Sequence, residues 1–427
     1  SLKTIAALSS VTAASTAARI PAGVVDTAGL SPDQAGAVEA IASSPWLVQV
    51  LCAPAGSGKT TSLRALRAGA HAAGKSRVLL AAPTGRAVDV ALAEGAGDAE
   101  GSGTVARMLA DLRSGTLTLD AATVLIVDEA GMVGTPALRE LLDAAGVAGT
   151  KTVLVGDPRQ LAPVKARGGM FAQLAADLPW AQQLSQVWRM RDPAERAASL
   201  AVRDGDDTAL AGAAQWYREH QRLHTGDPVT MAADALAAWT ADGAGGVDSL
   251  LIADRWEIAD ALNERLHRTR VDQDAPTVGG ARRAAIGVGD IVISRRNDAA
   301  IPVFAAEGST PIVDAPVRNG QRWLIERVDV DGGRVLARRL GDRARVVFEG
   351  DYLRRHVHHG YAVTVHAAQG ATADRCHAVL SVTGTRSAAY VAMTRGRDTN
   401  CVYLYERIAG EGDHEHADTP TVGVAEG

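Results

Sequence analysis

Short apolar runs recur along the chain, and each stops abruptly at a polar or glycine-rich corner. Val48–Cys52, Arg77–Ala82, Thr123–Val127 and Thr152–Val155 are the first four. Runs this short that are apolar throughout, rather than at every second residue, predict strands of a parallel sheet covered on both faces by helices. The helices fall between them. One starts at Leu30-Ser31-Pro32-Asp33-Gln34, with Ser31 as N-cap and Pro32 in the first turn. Another follows the glycine turn after Cys52 and runs to Ala73, and Thr104–Leu112 reads as a third. After it, Thr116-Leu117-Thr118-Leu119 alternates, which predicts a small hairpin near residues 113–118 with Ser114-Gly115 at its tip.

A second α/β unit begins near residue 180. Residues 196–247 read as helical, Ser249–Ala253 as a strand and Asp254–His267 as a helix. Residues 286–350 then switch to period two, as in Asp290-Ile291-Val292-Ile293-Ser294, Arg322-Trp323-Leu324-Ile325 and Val346-Val347-Phe348. Close-set short strands of this kind predict a small all-β barrel inserted in the α/β unit. The unit resumes at Tyr361, with strands at Ala378–Val382 and Cys401–Tyr405 and a helix at Tyr390–Arg397. The fold class is therefore α/β. It divides into a linker over 1–25, a first lobe over 26–178, a second lobe over 179–285 and 352–409, a barrel over 286–351 and a disordered tail over 410–427.

Composition narrows this picture. A chain of 427 residues, 47% hydrophobic and 22% charged, suits two or three globular domains. No apolar run approaches the roughly 18 residues of a membrane span, and no secretory signal opens the chain, so a cytoplasmic protein is expected. Cys52, Cys376 and Cys401 each sit in an apolar run and read as buried free thiols. A net charge of -5 excludes nucleic-acid binding through bulk charge, so any such site must be a local groove. The barrel is the basic region, with Arg295, Arg296, Arg318, Arg322, Arg338, Arg339, Arg343 and Arg345. The chain starts at Ser1 without methionine, as a piece of a larger protein would.

The chemistry gathers at the corners. After Val48–Cys52 comes Ala53-Pro54-Ala55-Gly56-Ser57-Gly58-Lys59-Thr60-Thr61, a loop whose backbone N–H groups can curl round phosphate at a helix N-terminus. Lys59 would meet the β- and γ-phosphates and Thr60 would ligate Mg²⁺, although Ala53 stands where the pattern opens with glycine. Thr123–Val127 delivers Asp128 and Glu129, a metal ligand and a base for the attacking water. Thr152–Val155 delivers Gln160, and Arg77–Ala82 delivers Thr84 and Arg86 towards the same crevice, where they could touch a nucleotide chain. Gln34 has the donor–acceptor pair that grips an adenine edge.

Five blocks occur in one order: Ala-Gly-Ser-Gly-Lys-Thr-Thr, Ala-Pro-Thr-Gly-Arg-Ala, Val-Asp-Glu-Ala-Gly-Met, Gly-Asp-Pro-Arg-Gln-Leu and Tyr-Val-Ala-Met-Thr-Arg-Gly-Arg. Together they resemble the RecD-like branch of superfamily 1 DNA helicases. Finer features, including His366-Ala367-Ala368-Gln369-Gly370, resemble the helicase region of actinobacterial MobF relaxases of the TraA/TrwC type. The resemblance implies two RecA-like lobes with ATP and Mg²⁺ between them. It implies ATP contacts at Gln34, Gly56, Ser57, Gly58, Lys59, Thr60, Thr61 and Gly370, with Asp128 on the metal. Glu129 would be the base, Gln160 a sensor of the γ-phosphate, and Arg189 and Arg395 fingers from the second lobe. Thr84, Arg86, Thr104, Thr364 and His366 would line a single-strand path, with 5′ to 3′ movement, duplex junctions as substrates and other conjugation proteins as partners. The hairpin would be the pin that splits the duplex.

Two departures stand out. Ala367-Ala368 replaces the common Lys-Ser, which leaves two strand contacts without their side chains. MobF relaxases nick DNA with a tyrosine of an N-terminal domain, whereas the first tyrosine here is Tyr217, so that domain is not expected in this chain. His356-Val357-His358 has the letters of the relaxase metal pair but lies beside the fifth helicase motif and reads as structural. A stand-alone RecD-like repair helicase, and a DNA-binding module with weak ATPase, remain alternatives at this point.

Overall fold

The structure is a computed structural model describing residues 12–21, 23–163, 169–306, 311–312 and 316–406. In the first lobe, β1 (Val48–Cys52), β2 (Arg77–Ala82), β3 (Asp98–Thr104), β4 (Thr123–Val127), β5 (Lys151–Gly156) and β6 (Gln182–Gln183) form one sheet in the order β3-β2-β4-β5-β1-β6. All its pairings are parallel. Successive side chains of a strand leave on opposite faces, so an unbroken apolar run must feed two cores. Leu125 and Val127 enter one, Val124 and Ile126 the other. The hydrophobic pattern does not announce β3, Asp-Ala-Glu-Gly-Ser-Gly-Thr, or β6, Gln-Gln, because both are sheet edges with a smaller buried face.

The hairpin expected near 113–118 does not form. The helix Val105–Ser114 runs through its proposed tip, and Gly115 ends that helix in the left-handed conformation at φ 74°. Leu117 and Leu119 alternate because both pack on the first lobe's core, not because they face a partner strand. The linker reading also fails for residues 12–21. Ala14 bridges to Trp46, Ala18 and Ile20 are fully buried, and Lys75 Nζ donates to the Ala17 carbonyl at 2.6 Å. Small side chains let this segment lie flat on the lobe. Residues 1–11 and the expected tail over 410–427 lie outside the described residues.

In the second lobe, β7 (Leu223–Gly226) interrupts the stretch read as helical, as another short polar edge strand. After β8 (Ser249–Ala253) the chain enters the barrel. There β9 (Val278–Gly279) pairs with β10 (Ala285–Ile286). A six-stranded antiparallel sheet follows, built from β11 (Ile291–Ser294), β12 (Val303–Phe304), β13 (Arg322–Asp329), β14 (Arg334–Arg339), β15 (Arg345–Glu349) and β16 (Val357–His359). The barrel's sheet thus runs past the expected limit of 351, since β16 is too short to betray its period. Trp323 and Phe348 meet edge-on in its core, with ring centroids 5.4 Å apart. The lobe resumes with β17 (Ala362–Thr364), β18 (Ala373–Ser381) and β19 (Gly396–Tyr405), giving a parallel sheet in the order β17-β8-β18-β19-β7.

The barrel is tied to both lobes. On the second, fully buried Asp290 accepts a hydrogen bond from Tyr361 Oη at 2.7 Å and lies 2.9 Å from His267 Nδ1. On the first, Arg318 pairs with Asp89 at 2.5 Å and Arg86 Nη1 donates to the Gly320 carbonyl at 3.4 Å. Among the described residues, no helix is long and apolar enough to cross a membrane.

Candidate nucleotide site and nucleic-acid interface

β1 carries the chain into the phosphate loop, where Gly56 and Gly58 adopt φ 78° and 77°. Side chains there would be strained and would also collide, at Gly56 with Arg189 Cβ and at Gly58 with Gln34 Nε2, each at 2.3 Å. Ala53, the departure from the glycine pattern, is buried, and its N–H donates to the Gly156 carbonyl at 2.8 Å, so alanine fits. The Ser57 hydroxyl is buried and has no hydrogen-bond partner. Buried hydroxyls are normally satisfied. An unsatisfied one in a loop arranged round an anion fits a phosphate oxygen as its missing partner. Thr60 and Asp128 add the hard oxygen donors that suit Mg²⁺.

Lys59 Nζ lies 2.5 Å from Glu129 Oε1 and 2.9 Å from Asp128 Oδ1. Burial pushes the Asp128 carboxyl above its ordinary range despite Lys59. Burial acts on Glu129 in the same sense, but Lys59, Arg395 and Arg189 together hold that carboxyl below its ordinary range. Glu129 itself sits in the left-handed region at φ 50°, ψ 38°, a costly conformation for glutamate that aims it away from the strand direction.

The second lobe meets this site through several side chains. Tyr390 Oη accepts from the Ala55 N–H of the phosphate loop at 2.9 Å and donates to Asp157 Oδ2 at 3.0 Å. Gln160 Oε1 accepts from Gln369 Nε2 at 3.2 Å, which brings the turn containing Gly370, φ 78°, to the cleft. Ala55 and Leu161 of the first lobe pack into the second lobe's core. Arg189 Nη1 donates to the Thr394 carbonyl at 2.9 Å, and burial with neighbouring Arg395 pushes its pKa down to about 9. Arg395 is 2% exposed and donates to the carbonyls of Val391 and Ala371 and to Thr394 Oγ1. Both guanidiniums act on Glu129 electrostatically.

Three of the five residues assigned to a nucleic-acid path share one role. Thr84, Thr104 and Thr364 each cap a helix, the hydroxyl accepting from the N–H three residues on at 3.2, 3.2 and 3.4 Å. Thr84 lies two residues beyond β2, and Thr104 and Thr364 are the last residues of β3 and β17, so all three lie at the carboxyl edges of the sheets. Their O–H protons remain free to donate to a phosphate oxygen. Arg86 is largely taken up at the barrel seam, where burial pushes its pKa down. Gln34 spends its amide inside the protein, Nε2 on the Ser57 carbonyl at 2.9 Å and Oε1 on the Ser31 N–H at 3.1 Å.

Residues 29–228 match the AAA domain family and residues 278–358 the Rv2311 SH3-like barrel domain family. An uncharacterized protein of Mycobacterium tuberculosis, Rv2311, is 53% identical over 109 residues, 26% of this chain and 63% of that protein. The probable conjugal transfer protein TraA of Sinorhizobium fredii is 31% identical over 387 residues, 88% of this chain and 33% of its own length. The Pif1 helicase from Candida albicans has a similar fold, with a TM-score of 0.53, 19% identity and coverage of 88% of this chain and 94% of that one. So does Bacteroides Pif1 bound to single-stranded DNA, with a TM-score of 0.51, 17% identity and coverage of 84% and 88%. The chain has the fold of the Pif1 helicases, with an AAA domain over residues 29–228 and an Rv2311 SH3-like barrel domain over residues 278–358. The chain spans about a third of the length of the TraA relative.

The motif residues of the chain do not all converge. Lys59, Asp128 and Glu129 touch, Gln160 reaches the second lobe, and Arg189 and Arg395 act on Glu129 from a distance. Thr61 lies within the helix Lys59–Ala72, its N–H donating to the Gly58 carbonyl at 3.0 Å. Sequence reasoning missed the roles of Asp157, Arg203 and Tyr390, and of Trp188. Trp188, 52% exposed, has its N–H on the Gly56 carbonyl at 2.7 Å and offers a stacking face beside the phosphate loop. Arg203 had one signal: it shares a helix with buried Ala198, Ser199 and Val202, where a charged residue needs a partner.

Proposed function

We propose that the chain is an ATP-driven motor that travels along single-stranded DNA in the 5′ to 3′ direction and opens duplex at junctions, as the helicase segment of a conjugative relaxase. The observation that carries this reading is the division of the site between two lobes. One holds Lys59 against Asp128 and Glu129, and the other brings Arg189 and Arg395 into the field of Glu129. Such an arrangement reacts only when the lobes are correctly placed, which is what a motor needs.

The phosphate loop binds ATP through its N–H groups and Ser57, and Lys59 exchanges its two carboxylates for phosphate oxygens. Thr60 and Asp128 would hold Mg²⁺, which when bound would supply positive charge against the phosphates. Glu129, released from Lys59, orients the attacking water and takes its proton. Arg189 and Arg395 stabilise the charge that develops, and the Gln160–Gln369 bond reports the phosphate's state to the second lobe. Thr84, Thr104 and Thr364 present hydroxyls and helix N-termini to the strand, a mode of contact that needs no base sequence. The relative solved with single-stranded DNA and the conjugal transfer relatives support DNA as substrate and other conjugation proteins as partners. Three buried free thiols support a reducing, cytoplasmic setting.

The test is ATP hydrolysis with and without single-stranded DNA, in wild type, Lys59→Ala and Arg395→Ala. DNA-stimulated hydrolysis lost in both variants is the expected result. Variants as active as wild type would overturn the reading.

A further inference from the structure

Trp256 has no role in the mechanism above. It opens the helix Trp256–Arg270 just beyond β8, and the residue is 51% exposed. The ring lines an open cleft of about 400 Å³ with Asp254, Arg255, Glu257, Thr364 and His366. β8 and β17 are parallel neighbours with Ala253 opposite Thr364, so Trp256 and the Thr364–His366 corner leave the same sheet edge.

The ring is also held in place. Arg282 of the barrel lies over it, its guanidinium carbon 4.3 Å from the ring centroid, and Asp260 secures that guanidinium at 2.6 Å. Arg282 and Arg283 both adopt left-handed backbone, φ 53° and 63°, a strained pair that persists only where surrounding contacts enforce it. The barrel's β9–β10 connection therefore braces the indole from one side, while the residue as a whole stays half exposed beside the cleft.

We propose that Trp256 is a stacking platform for a base of single-stranded nucleic acid crossing the second lobe. The assignment rests on the motor reading above and adds a contact that the motif residues do not supply. Stacking on an indole accepts any base, and a guanidinium against the ring strengthens such a stack through the ring's quadrupole. The surrounding groups suit a nucleotide. Arg255 and the Thr364 hydroxyl can donate to phosphate, whereas the Glu257 carboxylate repels it and the Asp254 carboxylate is engaged by the Ser381 N–H and Tyr405 Oη. A backbone held at Thr364 leaves its base to the ring that shares the cleft.

The experiment uses the full chain and a fluorescent oligothymidylate, with binding and the DNA concentration for half-maximal ATPase stimulation both measured. Trp256→Ala should weaken both by about ten-fold or more while hydrolysis without DNA stays at the wild-type rate. Trp256→Phe should recover most of the loss and Trp256→Leu little of it, a split that apolar packing alone would not produce. Trp256→Leu also keeps bulk beneath Arg282 should the alanine variant fail to fold. Wild-type binding in Trp256→Leu, with wild type itself stimulated by DNA, would overturn the stacking assignment alone. A wild type that neither binds the oligonucleotide nor responds to it would remove the motor reading and this assignment together.

Discussion

Arg203 grips Asp157 with two nitrogens, Nη2 at 2.8 Å and Nε at 3.2 Å, and the two side chains are only 4% and 0% exposed. Asp157 follows β5 of the first lobe, and Arg203 comes from the helix Pro193–Asp204. Removing one member of a buried pair strands the other charge at a cost of about 3–5 kcal/mol. Arg203→Ala and Asp157→Ala should each lower the thermal midpoint clearly. The double variant should lose less than the two losses combined, with a coupling of about 0.5–3 kcal/mol. Simple additivity in a double-mutant cycle would show that the pair does not join the lobes energetically.

Lys59 neutralises two buried carboxylates at once. Lys59→Ala should therefore abolish hydrolysis and destabilise the fold, because Asp128 and Glu129 would face each other without a cation. In that variant both carboxyls would have folded pKa values above their unfolded ones. Stability is then present at low pH and lost as pH rises through the carboxylate range. The gap in thermal midpoint between variant and wild type should narrow as pH falls from 7 towards roughly 5. A gap that widens would contradict the arrangement.

Arg189 and Arg395 bond to backbone carbonyls through specific guanidinium nitrogens, a geometry that lysine cannot reproduce. Arg189→Lys and Arg395→Lys should each reduce kcat by roughly 10³-fold or more, with little change in KM for ATP. A steady-state comparison checks this, and near-normal kcat in Arg395→Lys would mean that charge alone suffices there.

Lys151 is fully buried in the first lobe, its ammonium donating to the Ser44 and Ala42 carbonyls at 2.8 and 3.3 Å. Burial first, and the neighbouring charges of Lys75 and Arg19 after it, push its pKa down to about 7. The unfolded lysine binds a proton up to a much higher pH, so the folded state is penalised below that pH and gains stability as pH rises above about 7. Wild-type thermal midpoint should climb between pH 7 and about 10 relative to Lys151→Met, which lacks this titration. Parallel curves would show that the amine is protonated in the folded protein throughout.

How much of this could be read beforehand depended on burial. Central strands such as Thr123–Val127 are covered on both faces, so their letters are uniformly apolar and their ends fall where the chemistry lies. Edge strands such as Asp98–Thr104 carry no such constraint and were invisible. Leu117 and Leu119 imitated a strand because two leucines docking on a core leave the same alternation as two leucines in a ladder. In the site, Lys59, Asp128 and Glu129 were legible because phosphate chemistry fixes residue type at a fixed corner. Asp157, Arg203 and Tyr390 were not, since their partners lie 46 and 233 residues apart in the chain and only the fold brings them together.

The seam between Asp89 and Arg318 is the weak member of a circuit. The two lobes are joined by the buried Arg203–Asp157 pair, and the barrel is joined to the second lobe at buried Asp290. Asp89 and Arg318 are 44% and 23% exposed, and a pair so placed contributes about 0–1 kcal/mol. Three bodies linked in a ring cannot change one angle alone, so any swing between the lobes must be absorbed at the joint that yields most easily. That joint lies on the helix that Thr84 caps and that carries Arg86. Should the lobes swing as the motor reading requires, the barrel would give first at this seam, beside the corner assigned to the nucleic-acid strand.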